Sequence, residues 1–383
     1  MSAGPRRRHR EEGAVLILMM LVLLVATVAF FAGHTRDGML TRHIAAKTGR
    51  ALALARDALM GYAVRLASRP GGLPCPDVDN DGLDDPLGTG CASRLGRLPW
   101  RALGSGDLRD GSGERLWYAV SASLVGTAGV LNSNTPGGLS VDGTGGVAAV
   151  IIAPLGVVDG QVRNAATINS VIAYLEGDNA TSGDDSYAGS GPAPFRDQLL
   201  PLTEDELMRV VAQRVMGEVR SRLQAYYALN GYYPYAASFG DGPAYYCDQG
   251  VRKGHPPLAI GAAFTPGSGN ACAGAAPWPT AWPAWFTAND WASVLFYTVA
   301  APCTPGTVAC GGGGAMLTVT TLPPPGNDKQ ALLIAGGSPL AGQGRPPLGV
   351  ADLLEGAENT DGDDVYEQPA PGAGNDQVMV VAP

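Results

Sequence analysis

Apolar residues along this chain begin as one unbroken block and then thin to a helical spacing. Ala14 to Ala32, AVLILMMLVLLVATVAFFA, contains no charge and follows directly on the basic stretch Arg6 to Glu12. From Met39 through Ile44, Leu52, Leu59 and Leu66 the apolar positions fall on one helix face, until Arg69-Pro70-Gly71-Gly72 ends the pattern. A second helical pattern opens at Thr203-x-x-Glu206, a capping box, and runs over 203–230 with Leu207, Val210, Val211, Val215, Val219, Leu223 and Tyr226 on one face. Four other runs, Leu116 to Val120, Val147 to Ile152, Leu317 to Thr321 and Ala331 to Ile334, are apolar, β-branched or aromatic and bounded by turn residues, as in strands.

The chain also repeats itself. Leu175-Glu176-Gly177, Gly183-Asp184-Asp185, Tyr187 and Asp197-Gln198 recur at constant offset as Leu354-Glu355-Gly356, Gly362-Asp363-Asp364, Tyr366 and Asp376-Gln377. Ile152-Ala153 with Gly160-Gln161-x-Arg163 recurs as Ile334-Ala335 with Gly342-Gln343-x-Arg345, and Leu116 to Val120 is echoed by Leu295 to Val299. Collinear matches of this kind predict two copies of one unit, 70–202 and 231–383, each preceded by a helix. The expected fold class is α+β: a long N-terminal hydrophobic helix, then two tandem heads, each a helix with a small antiparallel sheet.

An apolar run as long as 14–33, at about 1.5 Å per residue, matches a hydrocarbon core of roughly 30 Å. The preceding arginines favour a cytoplasmic start, with everything after the run on the far side of the membrane. Net charge is −9 over 383 residues. That balance argues against nucleic acid, whose phosphates need clustered Lys and Arg.

All six cysteines, Cys75, Cys91, Cys247, Cys272, Cys303 and Cys310, follow the apolar run. An even count in an exported chain favours disulfides, with fifteen connectivities open. Pairing of sequence neighbours joins Cys75 to Cys91, Cys247 to Cys272 and Cys303 to Cys310. Beyond the stem His255 is the one histidine, so a zinc site lacks ligands. Asp77-Val78-Asp79-Asn80-Asp81-Gly82-Leu83-Asp84-Asp85 has the spacing of a calcium loop, with Asp77, Asp79, Asp81, the Leu83 carbonyl and Asp85 as ligands, although Gly88 stands where an EF-hand has its glutamate. The alternative is an acidic solvated turn. The cluster Asn359 to Asp364 reads rather as a turn closing a head.

The basic leader ending in Gly13, the run from Ala14, and the blocks Leu73-Pro74-Cys75-Pro76-Asp77, Gly96-Arg97-Leu98-Pro99-Trp100 and Gly113 to Tyr118 resemble the type IV pilin and pseudopilin family. The resemblance implies 1–13 as a leader removed by prepilin peptidase between Gly13 and Ala14, methylation of the new amine, 14–33 as a filament-core helix and 34–69 as its stem. It implies a minor pilin or pseudopilin, partnered by other pilins in a type IV pilus or type II secretion pseudopilus, and makes the membrane the inner membrane, whose lipid is a further partner. Leu18 stands where major pilins carry a glutamate. A carboxylate buried in hydrocarbon without a partner costs several kcal/mol, so leucine suits a subunit at the tip. The competing reading is an inner-membrane-anchored extracytoplasmic binding or adhesion protein outside any filament.

No enzyme is expected. His255 is isolated from any paired nucleophile, and Gly311 to Gly314 lacks the Lys-Ser/Thr of a phosphate loop. Aromatics crowd the second unit, from Tyr226, Tyr232, Tyr245 and Tyr246 to Trp278, Trp282, Trp285 and Trp291. Among them Trp282 and Trp285 are expected on a surface for a secreted or surface ligand.

Overall fold

The computed structural model describes residues 8–181, 183–240, 247–248, 250–261, 275–276, 278–306, 310, 315–370 and 374–382. Cys272, Tyr245, Tyr246, the glycines at 311–314 and residues 1–7 of the leader lie outside the described residues.

Helix α1 spans Arg8–Arg65. Ala51, Leu52, Ala55, Leu59 and Ala63 bury one face of its later part in the core. At its start Ile17 to Val25 are all exposed, by 57 to 65%. Two expectations fall here. No helix among the described residues is long and apolar enough to cross a membrane. Between Ala51 and Ala63 the buried apolar positions recur at helical spacing. The fold is therefore α+β without the expected long hydrophobic N-terminal helix, and the single-pass inner-membrane location is withdrawn with it. The disulfides described below point to an oxidising compartment, periplasmic or extracellular.

The first sheet comprises β3 (Leu95–Arg97), β4 (Trp117–Val120), β5 (Leu139–Val141), β6 (Thr144–Ala153), β7 (Ser186–Tyr187) and β8 (Gln198–Thr203); β1 (Pro86–Leu87) and β2 (Gly90–Cys91) form a separate short hairpin. β6 is the spine, antiparallel to β4 and β5 along different stretches and to β8 along its other edge. β5 adds β7 in parallel, and β3 pairs with β4.

The second half repeats this plan. β9 (Lys253–Gly254), β12 (Leu295–Val299), β15 (Ala331–Ala335) and β17 (Gln377–Ala382) form one sheet; β13 (Leu317–Val319), β14 (Asp328–Lys329) and β16 (Val365–Tyr366) form another. β10 (Ile260–Gly261) and β11 (Ala275–Ala276) make a small hairpin apart. Leu317 pairs with Lys329 as Leu139 pairs with Val147, and Val319 pairs with Tyr366 as Val141 does with Tyr187. The strand that is continuous in the first half is thus interrupted at Gln330 in the second.

Helix α3 (Glu204–Asn230) begins with the expected box: Thr203 Oγ1 accepts from the Glu206 amide at 3.2 Å, and Glu206 accepts from the Thr203 amide at 3.4 Å. Gly231 ends it in the left-handed region. α3 packs not within the second half alone but against α1, against β6 and β8, and against β15 and β17. One core therefore runs through both halves. A separate apolar cluster, with Leu95, Trp117, Leu139, Val150, Ile152, Tyr174 and Tyr187, covers the other face of the first sheet.

Candidate functional site

The acidic loop hangs from β3, because Asp77 and Arg97 exchange backbone hydrogen bonds at 2.9 and 2.7 Å. Its carboxylates face inward on the loop's own amides. Asp77 accepts from Asn80 N at 2.5 Å and Gly82 N at 2.7 Å, Asp85 from Val78 N at 2.7 Å, and Asp79 from Asp81 N at 3.1 Å. Burial raises the Asp77 carboxyl above its ordinary value, against those two bonds. Gly82 has φ of +91°, and a Cβ there would stand 2.6 Å from Trp100 Nε1, so only glycine fits. Of the five expected calcium ligands, the structure brings together carboxylates of Asp77, Asp79 and Asp85, within 4.8 Å of one another. Asp81 is not in that group: it is exposed and accepts from the Leu83 amide at 2.7 Å.

Behind this loop lies the more informative feature, which the sequence reading did not single out. Arg97 is 3% exposed, and its guanidinium lies against the rings of both Trp117, at 4.2 Å, and Tyr174, at 4.0 Å, which are themselves tilted together at 5.7 Å. It donates to the Arg115 carbonyl at 3.0 Å and the Ile168 carbonyl at 2.9 Å. Burial pushes it down to about 10, which leaves it charged at neutral pH. Two cavities meet at this side chain. One of about 210 Å³ is lined by Asn80, Arg97, Arg109, Glu114, Arg115, Ile168 and Tyr174. The other, of about 180 Å³, includes Asp77, Leu95, Arg97, Trp117 and Val171 in its walls. Asp107 steadies the rim by holding Arg109 at 2.7 Å and Arg115 at 2.9 Å. Burial opposes the charge on Asp107, but those two arginines hold its carboxyl below the usual range.

A second missed feature occurs once in each half. Asp197 accepts from the Glu176 amide and from Asn179 Nδ2, both at 3.0 Å; Asp376 accepts from the Glu355 amide at 3.3 Å and from Asn359 Nδ2 at 3.1 Å. Burial drives Asp197 up to about 7, and Asp376 rises through burial and its bond to the Glu355 carboxyl. Alongside, Gln161 donates to the Leu175 carbonyl as Gln343 donates to that of Leu354, and Arg163 and Arg345 each bind nearby carbonyls. The repeated Leu-Glu-Gly and Asp-Gln blocks were the signal. Those blocks marked the repeat without saying that Asp197 and Asp376, directly before β8 and β17, are buried.

The other expected positions are dispersed. Gly13 and Ala14 lie inside α1, and Leu18 is exposed by 64%. Cys75 is bonded to Cys91 and Cys303 to Cys310; Cys247 is also in a disulfide. Trp285 is 8% exposed, and Trp282 is half-buried, stacked on Phe286 at 4.5 Å and edge-on to Trp278 at 5.2 Å. Arg214 and Arg222 of α3 approach Trp285 and Trp282 at 5.4 and 5.0 Å. These tryptophans close the core over α3 rather than forming an open surface. No family model, curated protein or solved structure matches this chain.

Proposed function

We propose that this chain is an exported, non-enzymatic filament subunit, a minor pilin or pseudopilin of a type IV pilus or type II secretion pseudopilus, that joins its neighbours through the start of α1. The observation that carries the reading is the exposed apolar segment Ile17 to Val25 on a helix whose later part is locked into the core. Contiguous apolar surface of this kind marks an association site. The nearest equivalents available to cover it are the same segments of neighbouring subunits, packed side by side. Removal of the leader between Gly13 and Ala14 by prepilin peptidase, with methylation of the new amine, belongs to the same reading. So does Leu18, which suits a subunit at the tip.

The test is co-sedimentation of the native chain with filaments, combined with mass spectrometry of its N-terminus. Leu21→Asp is expected to abolish incorporation and leave the folded heads intact. A chain that keeps Met1 and never sediments with fibres points instead to an extracytoplasmic binding or adhesion protein, the reading that the Arg97 cavities favour. Calcium is the ion that Asp77, Asp79 and Asp85 would take, as a structural brace for their loop. Its expected signature is a rise in thermal midpoint with added Ca²⁺ that Asp79→Ala removes; identical midpoints with and without the ion would eliminate it.

A further inference from the structure

The two cavities that meet at Arg97 combine features that a packed core avoids. Two of their lining donors, Arg97 Nε and Trp117 Nε1, are buried and have no acceptor. Both residues are more than nine-tenths buried, at 3% and 1% exposure. A buried donor left without a partner costs about 1–3 kcal/mol, and here, unlike at the other unpartnered donors such as Trp291 Nε1, both residues line cavities in which an acceptor could stand.

Charge gives the acceptor its sign. The larger cavity presents Arg97, Arg109 and Arg115; Asp107 is shared by Arg109 and Arg115, Glu114 pairs with Arg163, and Asp77 lines the smaller cavity, so of the three Arg97 is the cation without a carboxylate partner among the described residues, in a chain whose net charge is −9. Local cationic character against an acidic background concentrates small anions. The walls give it a body. Ile168 and Tyr174 in one cavity, and Leu95, Trp117 and Val171 in the other, are apolar or aromatic. Their volumes of about 210 and 180 Å³ are below the ~300 Å³ at which pockets for drug-sized ligands begin.

We propose that this cleft binds a small carboxylate with a short apolar or aromatic body, the carboxylate accepting from Arg97 and Trp117 and the body lying against Ile168, Tyr174 and Val171. A free acid and the C-terminal residue of a peptide share this chemistry. The second half has lost the site. There the register places His255 where the first half has Arg97, and Phe296 and Leu353 where it has Trp117 and Tyr174. The inference does not depend on the filament reading.

Titration of the full-length chain, followed by NMR of arginine Nε–H and tryptophan Nε1–H groups, tests it. Phenylacetate is expected to shift the Arg97 and Trp117 signals saturably, and neutral phenylacetamide to bind at least tenfold more weakly. Ile168→Trp fills the mouth from a partly exposed position; it is expected to weaken phenylacetate at least tenfold with the thermal midpoint unchanged. The peptide Gly-Gly-Phe, with free or amidated C-terminus, separates the sources. Tighter binding of the free-acid peptide than of phenylacetate identifies a chain terminus, and the reverse order a small acid. Absence of a saturable shift, equal binding of acid and amide, or an Ile168→Trp variant that binds normally would each overturn the proposal.

Discussion

The two halves share a strand plan yet differ where β3 and β9 meet the rest. Gly96 and Gly254 each sit against the chain beside them: a Cβ would stand 2.7 Å from the Asp77 carbonyl in one and 1.9 Å from the Ala237 carbonyl in the other. Tyr118 donates to the Pro74 carbonyl at 3.2 Å, as Tyr297 does to that of Pro234 at 2.9 Å. One position further along, the halves part. Arg97 keeps a charge against two rings beside open space, whereas His255 binds the Leu295 carbonyl at 3.1 Å and meets the Phe239 ring edge-on at 4.8 Å. The duplicated scaffold tolerates either outcome because its backbone is fixed by the glycines, the tyrosines and the acidic latches. What occupies the space beside β3 or β9 is then free to be polar and open or apolar and filled.

The largest test of this contrast removes an aromatic wall. Trp117→Ala is expected to cost about 3–5 kcal/mol in urea unfolding and to leave Arg97 against Tyr174 alone. Trp285→Ala should cost a similar amount, since that ring is core; a neutral result would return it to the surface.

The acidic latches should behave alike in both halves. Folded-state values above the unfolded carboxylate value near 3.9 mean that the native chain binds more protons than the unfolded one across that interval. The contribution of Asp197 is therefore fully present below about pH 4 and is lost as pH rises through about 7. Asp197→Asn is expected to flatten this fall, by on the order of 2–4 kcal/mol between pH 4 and 8, in denaturation curves at several pH values. An unchanged slope would show that the carboxyl is ordinary.

Gly254→Ala should destabilise by about 1–3 kcal/mol and by more than Gly96→Ala, following the closer carbonyl. Equal losses would mean that the Asp77 loop is as rigid as its counterpart.

The smallest difference concerns a repeated ion pair. Arg94 meets Asp185 in the first half; in the second, Arg252 and Lys253 both reach Asp364, each at 3.0 Å. Burial opposes the charge on Asp364, but its two partners hold it below the usual range. Its contribution is present above the unfolded value and is lost as pH falls through the folded one. Asp364→Asn is expected to cost up to about 1 kcal/mol at pH 7, more than Asp185→Asn, by thermal melts.

Much of this fold was legible in the chain. The capping box at Thr203, the strands at Leu116, Val147, Leu317 and Ala331, and the offset repeat are local or periodic signals, and backbone propensity and burial act on them directly. The binding cleft was not. Arg97 stood in plain view in Gly96-Arg97-Leu98-Pro99-Trp100, but its partners Arg115, Ile168 and Tyr174 come from distant loops. The tryptophans misled for a similar reason: density of aromatics along a chain does not say whether a helix such as α3 will pass beneath them.

By itself, the sequence determined which segments form helices and strands, that the unit occurs twice, and that cysteines lie beyond the apolar run, because these depend on neighbours a few residues apart or on simple self-comparison. Only the tertiary structure decided that α3 joins both sheets in one core, that Asp197 and Asp376 are buried, and that one half keeps an open, charged cleft where the other is filled. Those outcomes depend on which residues meet across long separations, and burial, not residue type, sets whether an arginine or a carboxyl acts as surface charge or as a site.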